Sequence, residues 1–294
     1  MNSQYIQIIP HSKRYEFTEK GLETVKALLS EGKSYAYISG IFGINPDTLS
    51  LLCKKSGVAK DNRRIYTVNE SYFNKIDSVE KAYWLGFLEA DGSINRNKIN
   101  LTLQRRDEKT IQNFLDSIGS DKPIRYKTVY FKGEKECQQA YVSVDSLSMV
   151  KDLERHGCTR NKSLTLSPPI FLSKDLVQYW ILGYMDGDGN VSIFSDKSRN
   201  GYIRFKMSFT GTKKVLEFIK EFFQNSAKIT QEHRCRNNTY RFVVTETKAI
   251  DFLSRVYSNR RIYEISLDRK RNKFFEYMQY RKERNASKST RNPT

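Results

Sequence analysis

The chain has 294 residues, 38% of them hydrophobic, with 17 Phe and 18 Tyr. That is enough for two or three domains with real cores, and it excludes global disorder. Its 51 Lys and Arg against 33 Asp and Glu leave a formal charge of +18, which favours a polyanionic partner. Nucleic acid comes before membrane because no amphipathic basic helix dominates, although a well-solvated basic protein carries the same charge. Cys53, Cys137, Cys158 and Cys235 are scattered, and His11, His156 and His233 stand apart from one another. This spacing fits reduced thiols rather than a disulfide frame or a zinc site. The N-terminus lacks a signal pattern and no apolar run could span a bilayer, so the sequence predicts a soluble intracellular protein.

Residues 1–16 read as a polar arm without a period. From Phe17 to Val58 the pattern is helical: Val25, Leu28 and Leu29 form one stripe, ended by Gly32. Ser34 can cap a shorter helix carrying Ile38, Ile41 and Phe42, and Gly43 suits the left-handed turn after it. Asn45-Pro46-Asp47 reads as N-cap, proline at the first helical position and an acid in the first turn, followed by Leu49 and Leu52. Residues 1–58 thus resemble a helix-turn-helix domain, with Asn45, Thr48 and Lys54 among the DNA-contact candidates; a three-helix scaffold fits the same pattern. Residues 59–76 read as a linker.

Asp77 or Ser78 opens the next helix, Asp77 with Glu80 resembling a capping box. It carries Trp84–Gly92, W-L-G-F-L-E-A-D-G, which recurs as Ile181–Gly189, I-L-G-Y-M-D-G-D-G. Leu-Gly (Leu85-Gly86, Leu182-Gly183) and Asp-Gly (Asp91-Gly92, Asp188-Gly189) fall at matching positions. After the first copy come an alternating strand at 99–104, a helix with Ile111, Phe114 and Leu115, two strands at 124–131 and 140–144 with Gly133 in their turn, and a helix near 147–156. The segment 157–169 breaks helix and strand alike. After the second copy come strands at 191–194 and 202–210, a helix at 214–223, strands near 228–235 and 240–245, and a helix at 248–257. The sequence therefore predicts an α+β fold of two α-β-β-α-β-β-α units, at 77–166 and 167–280, with a basic disordered tail at 281–294.

Each motif helix is apolar on nearly every side and so must be buried all round. Its partner of choice is its own duplicate, with Gly86 and Gly183 permitting close backbone approach at a cost of up to about 1 kcal/mol each against Ala. Asp91 and Asp188 stand at helix C-termini, where the dipole disfavours a carboxylate by roughly 0.3–1 kcal/mol. Paired helices would bring the two acids together, and a divalent cation reverses the balance. Glu89 and Asp186, two residues earlier, are expected to make structural hydrogen bonds. On the strands, Asn100, Thr102 and Gln104 in one half and Arg204, Lys206, Ser208 and Thr210 in the other are placed to read a major groove. Ile203, Phe205, Met207 and Phe209 face inward.

These residues resemble the LAGLIDADG homing endonuclease family in its single-chain, two-motif form, over roughly Tyr72 to Phe275. The departures are Trp84 and Ile181 for the first Leu and Glu89 for the first Asp. The resemblance implies a pseudo-twofold monomer whose motif helices pack at the interface and whose saddle-shaped antiparallel sheets sit on double-stranded DNA. It implies cleavage of both strands with 3′ overhangs at a long target site, with Mg²⁺ or another divalent cation such as Mn²⁺ as cofactor. Asp91 and Asp188 would be the catalytic metal ligands, assisted by the carbonyls of Ala90 and Gly187. Gln104, Lys206 and Lys248 are candidates for the surrounding pocket. An RNA-splicing maturase and a DNA-binding transcriptional regulator use the same fold and stay open as alternatives.

Overall fold

The computed structural model describes residues 2–10, 12, 14–58, 66–131, 135–162, 165–197, 201–231 and 239–289. Gly133, residues 59–65 of the expected 59–76 linker, the end of the strand expected at 228–235 and residues 290–294 of the expected tail lie outside them. The chain divides into two compact units, residues 1–65 and 66–294.

In the first unit, strands β1 (Ile6–Ile8) and β2 (Tyr15–Phe17) pair antiparallel, Ile6 opposite Phe17. The sequence predicts a featureless arm here, because three-residue strands are too short to display a period. Thr18 caps α1 (Glu19–Ser30) by accepting from the Gly21 amide at 3.0 Å. The Ser34 hydroxyl accepts from the Tyr37 amide at 3.1 Å and starts α2 (Tyr35–Phe42). Gly43 then takes the left-handed conformation, φ 64°, that disfavours other residues. Asn45 accepts from the Asp47 amide at 2.8 Å, and Pro46 opens α3 (Pro46–Lys55). Val25, Ile38, Phe42, Leu49 and Cys53 close the core.

The second unit writes one order twice. The first pass is α4 (Val79–Ala90), β3 (Gly92–Asn95), β4 (Lys98–Gln104), α5 (Glu108–Ser117), β5 (Arg125–Phe131), β6 (Lys135–Asp145) and α6 (Leu147–Arg155). The second is α7 (Lys174–Asp188), β7 (Asn190–Asp196), β8 (Tyr202–Gly211), α8 (Lys213–Phe222), β9 (Thr230–Gln231), β10 (Tyr240–Thr245) and α9 (Glu246–Tyr257). The sheets have matching antiparallel orders, β3-β4-β6-β5 and β7-β8-β10-β9. This is the duplicated α+β fold expected from the repeat. Two further helices follow, α10 (Arg260–Ile265) and α11 (Asp268–Ser289). The charge-rich run expected to fray from residue 281 is helical to Ser289, because Phe274 and Tyr277 bury its earlier turns against the core.

The two motif helices pack along their length. A Cβ added at Gly86 would lie 2.1 Å from the Trp180 carbonyl oxygen, and one at Gly183 would lie 1.9 Å from that of Tyr83. Each glycine therefore meets the opposite backbone itself, which is what excludes a side chain. Trp84 and Trp180 are fully buried, and the Trp84 indole N–H donates to Ser117 Oγ at 2.8 Å. At the start of α4 the cap is Ser78, accepting from the Lys81 amide at 3.2 Å. The predicted Asp77–Glu80 capping box does not form: Asp77 pairs with the Lys81 ammonium at 2.8 Å and Glu80 with Arg261 at 2.6 Å. Gly92, directly after Asp91, has no positive φ. It opens β3, where a Cβ would meet the Leu88 carbonyl oxygen at 2.7 Å.

Candidate metal and nucleic-acid site

The C-terminal ends of α4 and α7 come together. A Cβ on Gly187 would stand 2.3 Å from that of Ala90 and 3.2 Å from the Asp91 amide nitrogen, so the residues preceding the two acids are in contact. Asp91 and Asp188 are accessible to solvent on one side and crowded by protein on the other. Burial, followed by the negative charge of Asp91, pushes the Asp188 carboxyl up to about 6, with Lys162 and Lys270 opposing. Asp91 is also raised by burial, and Lys270, Lys162 and Arg269 oppose.

Two lysines that no local pattern marks complete the centre. Lys270, 2% exposed, enters from α11. Its ammonium donates to the carbonyls of Met185 at 2.6 Å, Asp186 at 2.7 Å and Gly189 at 2.7 Å, with that of Gly187 at 3.4 Å. Three of these carbonyls belong to the last turn of α7 and that of Gly189 lies just beyond it, so the cation offsets both helix dipole and acids. Burial lowers Lys270 to about 8 against the pull of Asp186, Asp91 and Asp188. Lys162, 8% exposed, donates to the carbonyl of Gly92, just beyond α4. Arg269, next to Lys270, is held by the buried Asp107 at 2.9 Å.

The acids two residues upstream are buried and crossed. Tyr83 of α4 donates its hydroxyl to Asp186 Oδ2 at 2.9 Å, and the Leu267 amide donates to the same oxygen at 2.9 Å. Trp180 of α7, which occupies the position matching Tyr83, donates its indole N–H to Glu89 Oε2 at 2.6 Å. Asp186 Oδ1 and Glu89 Oε1 have no hydrogen-bond partner among the described residues. Burial raises Glu89 to about 8, against the Trp180 hydrogen bond and the charge of Lys162, and raises Asp186 to about 6.

Of the strand candidates, Asn100 and Thr102 are half-buried and Gln104 exposed on one face of β4, while Ile99, Leu101 and Leu103 fill the other. In the second half, Lys206 and Thr210 are half-buried on the matching face of β8. Two expectations need correction. Ser208 is buried, 4% exposed, and its hydroxyl lies 3.4 Å from Arg241 Nη2. Arg204 is clamped between Asp196 at 3.0 Å and Glu246 at 2.8 Å. Lys248, a pocket candidate, points elsewhere: its ammonium donates to the carbonyls of Phe223 and Gln224 at the end of α8. On α3, Lys54 is exposed and Thr48 half-buried, whereas Asn45 spends its side chain on the cap.

Among the described residues no cluster of three or more His, Cys, Asp or Glu could hold a metal, and no helix is long and apolar enough to cross a membrane. Two carboxylates with adjacent backbone carbonyls remain. Oxygen-only donors of this kind suit a hard cation that keeps several waters.

Residues 181–283 match the family model described as LAGLIDADG endonuclease. No curated protein matches the chain. Among solved structures, the LAGLIDADG meganuclease I-CpaMI bound to uncleaved DNA is 14% identical, covering 71% of this chain and 92% of its own, with a TM-score of 0.40. I-AabMI bound to uncleaved DNA is 14% identical over 59% of this chain and 82% of its own, TM-score 0.37. The homing endonuclease I-LtrWI bound to target DNA is 14% identical over 64% and 82%, TM-score 0.36.

Proposed function

We propose that the protein is a site-specific, divalent-metal-dependent DNA endonuclease that cuts both strands of a long duplex site and leaves 3′ overhangs. The observation that carries this reading is the pair Asp91 and Asp188. They stand at the abutting ends of two helices that glycines bring into backbone contact, with Lys162 and Lys270 behind them. The match of residues 181–283 to the endonuclease family supports the same reading.

Asp91 and Asp188, with the carbonyls of Ala90 and Gly187, would hold Mg²⁺ or Mn²⁺. The bound ion would supply Lewis-acid stabilisation of charge on phosphate oxygens and lower the pKa of water. The chain's own residues do the rest. Asp91 and Asp188 keep negative charge at the point where the two halves meet. Lys162 and Lys270 offset the helix-end carbonyls and oppose the burial that raises both acids. Each acid leads directly into a sheet, Asp91 into β3 and Asp188 into β7, so the outer faces of both sheets flank the reacting phosphates.

In this reading α3 of the first unit, with Thr48 and Lys54 on its solvent side, adds a further DNA contact. The test is incubation of the chain with a randomised duplex library and Mg²⁺, followed by sequencing of the ends. Recurrent cut sites with 3′ overhangs support the proposal; intact DNA at every metal tried removes it.

A further inference from the structure

Helix α3 of the first unit turns a narrow strip to solvent. Leu49, Leu52 and Cys53 are buried, so the opposite side of the helix carries Asp47, Leu51 and Lys54 in successive turns, with Lys55 beside them. Leu51 is 59% exposed and stands at the middle of that strip. Among the described residues, the side chains of Asp47, Lys54 and Lys55 make no hydrogen bond or ion pair. A lone surface leucine is ordinary. This one sits at the centre of a charged strip, on the helix that follows the Gly43 turn, and the core of the unit closes without it.

The chemistry of the strip suits base edges better than a phosphate backbone or a protein face. A protein-docking face needs neighbouring apolar side chains, and Leu51 has Asp47 on one side and Lys54 on the other. A carboxylate at Asp47 disfavours lying along phosphates. In the major groove, thymine offers one methyl group among hydrogen-bonding atoms, and cytosine offers an amino donor to a carboxylate. The charge of the unit points the same way. Residues 1–58 hold seven Lys and Arg against five Asp and Glu, which is +2 of the chain's +18. Phosphate attraction therefore comes mainly from the rest of the chain, and what this unit can add is sequence preference.

We infer that Leu51 reads a thymine through its C5-methyl group, and that the first unit contributes sequence preference rather than grip. Helix α3 lies in the major groove with its Asp47–Lys54 strip on the base edges. Leu51 covers the methyl, Asp47 accepts from a neighbouring cytosine amino group, and Lys54 and Lys55 reach the phosphates that border the groove.

This inference rests on the proposal that the chain acts on duplex DNA, but not on its cutting it. The test is therefore a binding selection on the full chain, with a randomised duplex library in chelator so that no strand is cut. The parent should enrich a thymine that Leu51→Ala does not. The enriched duplex is then remade with uracil, which lacks only the methyl group, in place of that thymine. The parent should lose about four-fold in affinity, the contribution of one buried methyl, while Leu51→Ala should bind both duplexes alike. Leu51→Ala should keep the parent's Tm, because the side chain is exposed, and its salt slope, because no charge changes. Lys54→Ala should weaken all sequences alike and reduce that slope by about 1. An unaltered profile in Leu51→Ala, or an equal loss on uracil in parent and variant, overturns the inference and leaves the strip a solvated surface or a face for a protein. Failure to enrich any sequence overturns it too, whatever the cleavage assay gives. A Leu51-dependent thymine in DNA that the chain never cuts with Mg²⁺ present removes the nuclease reading and leaves this one standing. Recurrent cutting without such a thymine does the reverse.

Discussion

Tyr83 on one motif helix donates its hydroxyl to Asp186 on the other at 2.9 Å, and Trp180 returns the bond to Glu89 at 2.6 Å. The two aromatic residues occupy matching positions of the repeat, as do the two acids. Each half therefore holds the buried acid of its twin, and the bonds cross the seam just upstream of Asp91 and Asp188. The acids that resemble catalytic groups in sequence thus act as fasteners that set where the exposed pair stands.

The first prediction follows from that crossing. Tyr83→Phe leaves Asp186 Oδ2 with the Leu267 amide, in a site where Oδ1 already lacks a hydrogen-bond partner among the described residues. Losing one hydrogen bond to a buried acid should cost about 1–3 kcal/mol. Denaturant unfolding with and without the substitution measures it; an unchanged midpoint would show that the hydroxyl does not bear on the fold.

Glycine is required at the helix seam for reasons of space. Gly86→Ala and Gly183→Ala place a methyl 2.1 and 1.9 Å from backbone oxygens, which cannot rotate aside. Each should destabilise by about 3 kcal/mol or more, at the upper end for overpacking. Because the helices would be forced apart, cleavage should fall even where the variant folds. Thermal melts paired with cleavage assays at a temperature where both variants remain folded separate the two effects. A variant of native Tm and activity would contradict the backbone contact.

The motif duplication, the paired-helix glycines and the first unit's caps could all be read in the sequence because they obey local rules. Ser34, Gly43, Asn45 and Pro46 each act within one helical turn, so neighbouring residues suffice. Lys270 was not legible. It sits in D-R-K-R-N-K, a run that composition marks as solvated surface, and only tertiary packing selects one lysine of that run for burial. Strand alternation likewise identified the face of Arg204 but not its clamp, because Glu246 arrives from beyond the end of another strand.

Lys270 should matter to both stability and chemistry. Lys270→Met keeps the apolar stem but strips the ammonium from the carbonyls of Met185, Asp186 and Gly189. The lost charge-assisted bonds should cost about 1.5–3 kcal/mol, and cleavage should drop because Asp91 and Asp188 lose an adjacent cation. Lys270→Arg is the informative companion, since it retains charge without the compact point geometry. If Lys270→Met unfolds and cuts like the parent, the buried ammonium is incidental.

The bond between Glu80 and Arg261 ties α4 to α10 and should appear as a pH-dependent share of stability. Burial works to raise the Glu80 carboxyl, yet hydrogen bonds from Arg261 and Ser117 outweigh it and hold the group below its ordinary value. A carboxyl depressed by folding contributes fully above its unfolded value, about 4.3, and the contribution is lost as pH falls through the folded value. With Arg261 43% exposed, the pair should be worth no more than about 1 kcal/mol. The stability gap between the parent and Glu80→Gln should thus be present at pH 7 and close below about pH 4. A gap of equal size at pH 3 would assign the effect to packing.

The sharpest test of the proposed chemistry separates binding from cutting. Asp91→Asn and Asp188→Asn each remove one ionised ligand while leaving the outer sheet faces as they are. A metal contact stabilises transition-state charge by several kcal/mol, so double-strand cleavage should fall by at least about a thousand-fold in either variant. Affinity in chelator should stay within a few-fold of the parent, or improve, because asparagine removes negative charge next to phosphate. Burial opposes ionisation of both aspartates, so neutral asparagine should also be tolerated or stabilising in the metal-free protein. Thermal melts and gel shifts in chelator, with cleavage gels in Mg²⁺, give all three readings. Undiminished cutting by either variant would remove that aspartate from the catalytic centre, however close the ends of the two helices lie.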